Sequence, residues 1–188
     1  MRPEPVARRR ILDSAYELFS QRGVRAVGIE EVIARASVAK ATLYRHFPSK
    51  DDLILAFLAE REQLWTYDWI DREARRRGTT PEEQLLAIFD LFDEWFRRDD
   101  FEGCAFINTL LAVADRRHPL SRASAGHLEN IRGLLRSFAE EARLRDVEEF
   151  ARSLQMLMSG AIVQAAAGDV EAAKRAQAMA RDLIDRYR

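Results

Sequence analysis

The stretch of sequence that decides the fold spans residues 29–53 and reads IEEVIARASVAKATLYRHFPSKDDL. Its first eight residues predict a short helix, because apolar residues recur on one side of it. A tight break at residues 37–38 precedes a second short helix over 39–47, which Pro48 ends because proline cannot continue a helix. Two short helices joined so closely leave the outer face of the second one free.

The outer face of this second helix is rich in groups that bind nucleic acid. Two cations, a hydroxyl, a phenol and an imidazole lie within seven residues: Lys40, Thr42, Tyr44, Arg45 and His46. Leu43 and Phe47 are predicted to face inward. The polar groups can contact phosphates and base edges in a major groove, and Lys50 adds a phosphate contact near the start of the next helix. Taken alone, such a helix is more often a solvated face.

The complete string resembles the helix-turn-helix of the TetR family of bacterial transcriptional repressors. In that family a first helix with an LF…RG ending supports the two motif helices. The matching residues here are Leu18, Phe19, Arg22 and Gly23. The family's characteristic string stands as TLYRHFPSKDDL over residues 42–53. The resemblance covers residues 8–55, whereas the rest of the chain is similar only in length and number of helices.

The resemblance also implies which residues contact DNA: Lys40, Ala41, Thr42, Tyr44, Arg45, His46 and Lys50. Tyr44, His46 and Lys50 are the implied phosphate contacts. Four positions depart from the family pattern: Gly28 and Ala39 replace capping hydroxyls, Ser37 replaces a turn glycine, and Glu30 stands where an arginine often contacts a base. Each missing cap is expected to cost its helix ~1 kcal/mol, and an acid near DNA weakens binding.

Charge is unevenly distributed along the chain, although the formal net charge is −1. Residues 1–50 contain ten Lys and Arg against five acids, a net charge of +5, so residues 51–188 contain 20 against 26, a net charge of −6. A basic block joined to an acidic body is typical of a nucleic-acid-binding protein with a second module. The three arginines at 8–10 predict either a basic arm on DNA or a frayed helix start.

Composition and motifs exclude several classes of protein. A single cysteine, Cys104, cannot form an internal disulfide, which favours a reducing cytoplasm; a sensing role for it is a minor alternative to packing. No long apolar run predicts a membrane span, and no apolar segment of a secretory signal follows the basic N-terminus. No metal-ligand spacing or catalytic motif occurs. We therefore expect a cytoplasmic protein with no metal, no cofactor, no membrane partner and no enzymatic activity.

The chain as a whole is predicted to be all-α, with an N-terminal three-helix head, a C-terminal helical-bundle body and about nine helices. Strand and hairpin signals are absent, and Thr80 followed by Pro81 and two acids is a strong helix start. The predicted helices span 8–22, 29–36, 39–47, 50–77, 81–98, 104–114, 120–143, 147–167 and 169–188. The predicted domains are a DNA-binding domain over 1–50 and an effector-binding and dimerisation domain over 51–188.

Aromatic residues cluster in the predicted body, since ten of the 17 lie between Phe57 and Phe106. Such a stripe at helical spacing is more often ordinary core, but cavities between bundle helices also hold apolar ligands. The resemblance implies a small effector here. The predicted effector-binding residues are Trp65, Trp69, Phe89, Phe92, Phe96, Phe106, Asn108, Leu110 and Met156, with Thr109 and Gln155 as further polar contacts.

The last two predicted helices are apolar and rich in small residues, which allow close helix packing. We predict a homodimer interface made of Phe150, Leu154, Met158, Ala161, Ile162, Ala173, Ala176, Ala180, Ile184 and Tyr187. The alternative is that both faces pack only within the chain. One motif helix contacts few base pairs, whereas a two-fold dimer presents two of them to a palindromic site.

These observations predict a ligand-responsive repressor that binds a palindromic operator in double-stranded DNA as a homodimer. A small, apolar or aromatic effector would release it by binding one of two conformations more tightly. The alternative is a helical small-molecule-binding protein or enzyme that uses the aromatic-rich body.

Overall fold

The computed structural model describes residues 6–113 and 115–188. The first five residues of the predicted DNA-binding domain, and the predicted end of the sixth helix at Ala114, lie outside them.

The described residues form nine helices and no strand, which confirms the all-α prediction. Helix α4 consists of three consecutive segments, of which the middle one is π-helical. The helices are α1 (Val6–Ala26), α2 (Ile29–Ala36), α3 (Lys40–His46), α4 (Lys50–Arg61, Glu62–Asp71 and Arg72–Arg77), α5 (Pro81–Phe96), α6 (Ala105–Ala112), α7 (Pro119–Glu141), α8 (Val147–Ala166) and α9 (Ala172–Tyr187).

The connection from α2 to α3 is a tight left-handed turn centred on Ser37. This residue has φ 51° and ψ 50°, a conformation that usually favours glycine. The amide of Ser37 donates to Ala34 O at 3.2 Å and that of Val38 donates to Ile33 O at 3.3 Å. The two bonds form a Schellman motif, which satisfies the last carbonyls of α2 and fixes where α3 begins.

Several helix ends follow the sequence signals closely. Gly23 interrupts the helical geometry of α1 with φ 76°, at the residue where the predicted helix ends. At the start of α5, Thr80 Oγ1 accepts from the Glu83 amide at 3.2 Å, and Glu83 Oε2 accepts from the Thr80 amide at 3.1 Å, which makes a capping box. Gly78 allows a close approach here, since an added Cβ would lie 2.4 Å from the Gln84 amide nitrogen.

The middle of α4 differs from the regular helix predicted over 50–77. Its segment Glu62–Asp71 is π-helical over ten residues, longer than the single-turn bulges that are usual. In a π-helix residues five apart share a face, and Trp65 and Ile70 are accordingly both buried. The α-helical periodicity that we used therefore could not predict which side of this segment is buried.

The chain divides into two compact units, one comprising Met1–Arg61 with Ala105–His127 and the other Glu62–Cys104 with Leu128–Arg188. The first unit, which we call the head unit, packs α1 against α2, α3, α6 and the Lys50–Arg61 segment. Phe57 is central to its core, with ring centroids 5.4 Å from Tyr16 and 5.5 Å from Phe19. The boundary predicted at residue 50 concerns function and stays a prediction.

The second compact unit, which we call the body unit, packs α9 between α8 and α5. The Arg72–Arg77 segment covers another side of α5. The largest fully buried rings of this core are Phe89, Phe92, Phe138 and Phe150. Small residues of α9 allow the close packing, since Ala173 and Ala180 have no exposed surface.

Candidate nucleic-acid interface

Helix α3 separates the predicted DNA-binding side chains from the core. Its apolar residues Leu43 and Phe47 are 0% and 3% exposed, as predicted. The seven predicted DNA-binding residues all keep exposed surface: Lys40, Ala41, Tyr44 and Arg45 are exposed, and Thr42, His46 and Lys50 are half-buried. The structure therefore leaves all seven side chains accessible, and their contact with DNA stays a prediction.

The arginines at 8–10 hold this surface in place from within α1, which neither sequence interpretation anticipated. Arg8 lies over the Phe47 ring, 5.0 Å from its centroid, at the end of α3. Arg9 pairs with Asp13 and Glu60. The third arginine, Arg10, donates from Nη2 to Ala36 O at 2.6 Å, at the end of α2. All three contacts lie inside the head unit, because a long guanidinium can cap a neighbouring helix as well as reach DNA.

The positive charge of the head is only partly neutralised by the acids around it. Arg22 pairs with Glu31, and Arg35 pairs with Glu17. Lys40 Nζ lies 3.8 Å from Glu30 Oε1, so the acid that replaces the family's usual arginine faces the first residue of α3. In the described part of the chain, Arg25, Arg45 and Lys50 have no ion-pair partner. Two of these three flank the end of α3, where phosphate contacts are predicted.

The start of α4, where Lys50 lies, has a side-chain cap. Ser49 Oγ accepts from the Asp52 amide at 3.1 Å, which satisfies a free amide of the first turn. In the same turn, Oδ2 of Asp51 lies 3.4 Å from Nε2 of His118. In contrast, α2 and α3 begin at Gly28 and Ala39 without a side-chain cap, as their sequence implies.

The predicted effector-binding residues are divided between the two compact units. Five of them lie in the body unit with rings in mutual contact: Trp65, Trp69, Phe89, Phe92 and Phe96. Trp65 belongs to this aromatic cluster, with its ring centroid 5.3 Å from that of Trp95, and its Nε1 has no hydrogen-bond acceptor among the described residues.

The other four predicted effector residues are not members of this aromatic cluster, and their contact with an effector stays a prediction. Phe106, Asn108 and Leu110 belong to the head unit, and Phe106 stacks on His127 with centroids 4.9 Å apart. Met156 is 69% exposed on α8. Helical periodicity places residues on a face of their own helix, but it does not tell which neighbouring helix that face meets.

The predicted dimer residues are also corrected, because nine of the ten are buried inside a single chain. Phe150, Leu154 and Ala173 have no exposed surface, and only Tyr187 of the predicted set is half-buried. They pack α8 against α9 and α9 against α5, which was the alternative interpretation. The exposed apolar residues of the same helices are Met156, Val163 and Met179. Our sequence reasoning overlooked this second stripe, although Met156 and Val163 stand seven residues apart.

Cys104 is buried. Within residues 6–113 and 115–188, no group of three or more His, Cys, Asp or Glu side chains could hold a metal ion. The helices of that same part of the chain are all too short or too polar to cross a membrane.

A helix-turn-helix whose second helix keeps its cationic and phenolic side chains accessible defines the class of helix-turn-helix regulators. Residues 11–57 match the family of bacterial regulatory proteins called the tetR family, and residues 81–180 match the tetracyclin repressor-like C-terminal domain. The chain belongs to the TetR family of bacterial transcriptional regulators.

Individual relatives agree with this assignment. The chain is 34% identical over 97 residues to the HTH-type transcriptional activator FasR of Mycolicibacterium smegmatis, a match to 52% of this chain and 43% of FasR. It is 37% identical over 93 residues to the HTH-type transcriptional repressor KstR of Rhodococcus jostii, a match to 49% of this chain and 42% of KstR. These matches therefore span less than half the length of either curated relative.

Solved structures resemble the chain over nearly its whole length. A TetR-family transcriptional regulator from Streptomyces coelicolor superposes with a TM-score of 0.85 at 29% identity, covering 96% of this chain and 95% of that one. The reduced form of Escherichia coli NemR gives a TM-score of 0.80 at 22% identity, covering 95% and 97%, a likeness of fold alone.

Proposed function

We propose that this chain represses transcription by binding an operator in double-stranded DNA through α3. The carrying observation is that Lys40, Tyr44 and Arg45 are exposed on a helix whose one large apolar residue, Leu43, is fully buried. A helix held this way can enter a major groove, where Lys50 and His46 meet the phosphates beside it. FasR is named an activator and KstR a repressor, so the sign of regulation needs its own test.

DNA binding is tested by fluorescence anisotropy with genomic fragments selected for binding. Lys50→Ala is expected to weaken binding to all sequences. It should also reduce the slope of log affinity against log salt concentration by about one, which corresponds to one phosphate contact. The matched control is Lys174→Ala, which removes an exposed lysine from α9 and should leave DNA binding unchanged. The proposal fails if the parent protein shows no sequence-preferring, salt-dependent binding to any of the fragments. In vitro transcription from the selected promoter then distinguishes repression from activation.

We propose a homodimer that forms through the exposed side of α8 and α9. A groove of about 490 Å³ runs between these helices, lined by Ser153, Met156, Leu157, Met179, Asp182, Leu183 and Arg186. Asp182 and Arg186 bring opposite charges to the same apolar groove, so a two-fold partner could pair each with its counterpart. In a two-fold dimer, two copies of α3 can contact a palindromic operator.

The dimer surface is tested by light scattering coupled to gel filtration. Met156→Glu with Met179→Glu should yield monomers that remain folded, because both side chains are more than half exposed in the single chain. Val170→Glu is the control, since Val170 is also exposed but lies between α8 and α9. An unchanged dimer in the double variant would contradict this surface.

The proposed effector binds beside Trp65 in the aromatic cluster. The support is the buried Nε1 donor, since leaving such a group unpaired costs about 1–3 kcal/mol. A flat apolar molecule with a hydrogen-bond acceptor fits this environment, and its binding should quench tryptophan fluorescence. Trp65→Phe removes the donor and keeps an aromatic ring, so it should weaken effectors that have an acceptor more than those without one. If Trp65→Phe changed the affinities of both kinds of effector equally, the effector would bind elsewhere.

A further inference from the structure

A second cleft lies in the head unit, and none of its lining residues belongs to the aromatic cluster. It occupies about 700 Å³ between the end of α6 and the first turns of α7, and its lining residues are Leu110, Leu111, Val113, Arg116, Ser121, Arg122 and Ala125. Ser121 is 2% exposed and its hydroxyl donates to Val113 O at 3.5 Å, which ties the two sides of the cleft together. The cleft therefore belongs to one compact unit.

One wall of this α6–α7 cleft is apolar and open to solvent. Leu111 is 77% exposed, more than any other large apolar residue that the structure describes. Leu110 and Val113 beside it are half-buried. Leucine and valine side chains left in water lose the free energy that burial provides, roughly 25 cal/mol for each Å² of apolar surface. This wall is suited to the apolar part of a small molecule.

The lining of the cleft also includes two arginines that have no partner among the described residues. Arg116 and Arg122 are exposed, and neither side chain makes an ion pair or hydrogen bond with a described residue. Their neighbour Arg117 lies 3.7 Å from Asp115, so the local acid is already engaged by a different arginine. Guanidinium groups bind carboxylates through paired N–H donors. The cleft thus combines an apolar wall with an anion-binding wall.

We propose that the α6–α7 cleft binds a small amphipathic carboxylate. Its carboxylate pairs with Arg116 and Arg122, and its apolar chain covers Leu110, Leu111 and Val113. An inorganic anion would leave the leucines uncovered, and a neutral hydrocarbon would leave the arginines without a counter-ion. The class of ligand therefore follows from both walls together.

The same segment is linked to the predicted DNA-binding surface by His118. Its Nδ1 accepts from the Leu120 amide at 3.3 Å, so in the neutral ring the proton lies on Nε2. That Nε2 is 3.4 Å from Asp51 Oδ2, in the turn that contains Lys50. Helix α6 also packs against α1 and the Lys50–Arg61 segment. A ligand that moves the chain around Arg116 therefore acts on the position of Lys50, and we infer that it weakens DNA binding. This consequence rests on the proposed function, whereas ligand binding itself does not.

Ligand binding is tested by titration calorimetry on the full chain with decanoate below its micellar concentration. Decanol, which lacks the charge, and sulfate, which lacks the chain, are the ligand controls. Arg116→Gln with Arg122→Gln should bind decanoate at least roughly tenfold more weakly, and Leu111→Ser should also bind it more weakly. Arg117→Gln is the matched control and should bind like the parent protein. Equal binding of decanoate by the parent and the double glutamine variant would overturn the proposal, as would its failure to bind the parent.

Coupling is tested by measuring DNA affinity with and without decanoate. The parent protein should bind its selected fragment more weakly when decanoate is present. His118→Ala should still bind decanoate but lose most of this response. If the double glutamine variant loses DNA affinity without any ligand, the two arginines are phosphate contacts and the proposal is wrong. If the parent protein binds decanoate but no DNA, the proposed function fails while the binding site stands.

Discussion

Helix α3 and the α8–α9 pair both separate apolar from polar residues by sequence, yet only in α3 does the structure agree with the assignment of apolar residues to the core and polar residues to the surface. In α3, seven residues leave room for one inward face, so the burial of Leu43 turns Ala41 and Arg45 on the opposite side outward. In α8 and α9, longer helices present apolar residues on more than one side. The difference shows that periodicity predicts burial more readily than the identity of the neighbour that causes it.

The largest expected effect concerns Phe150, which the sequence assigned to a dimer interface and the structure buries in the chain. Phe150→Ala should lower the free energy of unfolding by about 3–5 kcal/mol, because it leaves a cavity in the body core. Urea unfolding at two protein concentrations measures this loss. The loss should be the same at both, whereas an interface residue would make it depend on concentration.

Met156→Ala is the matched control on the same helix. Met156 is 69% exposed, so its truncation should change the unfolding free energy of a single chain by less than about 0.5 kcal/mol. If Met156→Ala destabilised the monomer as much as Phe150→Ala, the assignment of the two sides of α8 would be reversed.

The second prediction tests the division of α3 itself. Leu43→Ala should cost about 2–5 kcal/mol of unfolding free energy, since Leu43 is fully buried. Tyr44→Ala, its immediate neighbour, should leave stability nearly unchanged and weaken DNA binding. Thermal unfolding by circular dichroism and anisotropy on the selected fragment measure the two effects. A Tyr44→Ala protein that is as unstable as Leu43→Ala would show that Tyr44 belongs to the core.

Local signals explain how much of the molecule could be predicted. The capping box at Thr80 and the interruption at Gly23 depend on residues within four positions, so the sequence specifies them. The contact of Arg10 with Ala36 O joins residues 26 positions apart, and the burial of Phe150 depends on other helices. The π-helical segment around Trp65 has no local sequence signal that we recognise. Most of the residues that were assigned wrongly are therefore residues whose burial depends on long-range packing.

The third prediction sharpens the view that α3 is held by its neighbours rather than by its own ends. Ala39 begins α3 with φ −72° and ψ 148°, and it supplies no side-chain cap. Ala39→Ser should raise the unfolding free energy by about 0.5–1 kcal/mol, because its hydroxyl can accept from a free amide of the first turn. Thr80→Ala, which removes an existing cap from α5, should lower it by a similar amount. Denaturant midpoints measure both, and an unchanged Ala39→Ser midpoint would contradict the missing cap.

The smallest effect concerns charge in the body, where arginines of the Arg72–Arg77 segment clamp neighbouring helices. Arg75 donates to both oxygens of Glu141 at 2.9 and 3.0 Å, and this hydrogen bonding lowers the pKa of Glu141 below its ordinary value of 4.5. A carboxyl whose pKa is lowered by folding stabilises the protein above its unfolded pKa, and that contribution disappears as the pH falls through the folded value. Glu141→Gln should therefore destabilise slightly at pH 7, by at most about 1 kcal/mol since the pair is exposed, and not at all at pH values below both pKa values. Chemical unfolding across this range measures the difference, and a destabilisation that persists in acid would mean that packing, rather than the charge pair, joins this segment to α7.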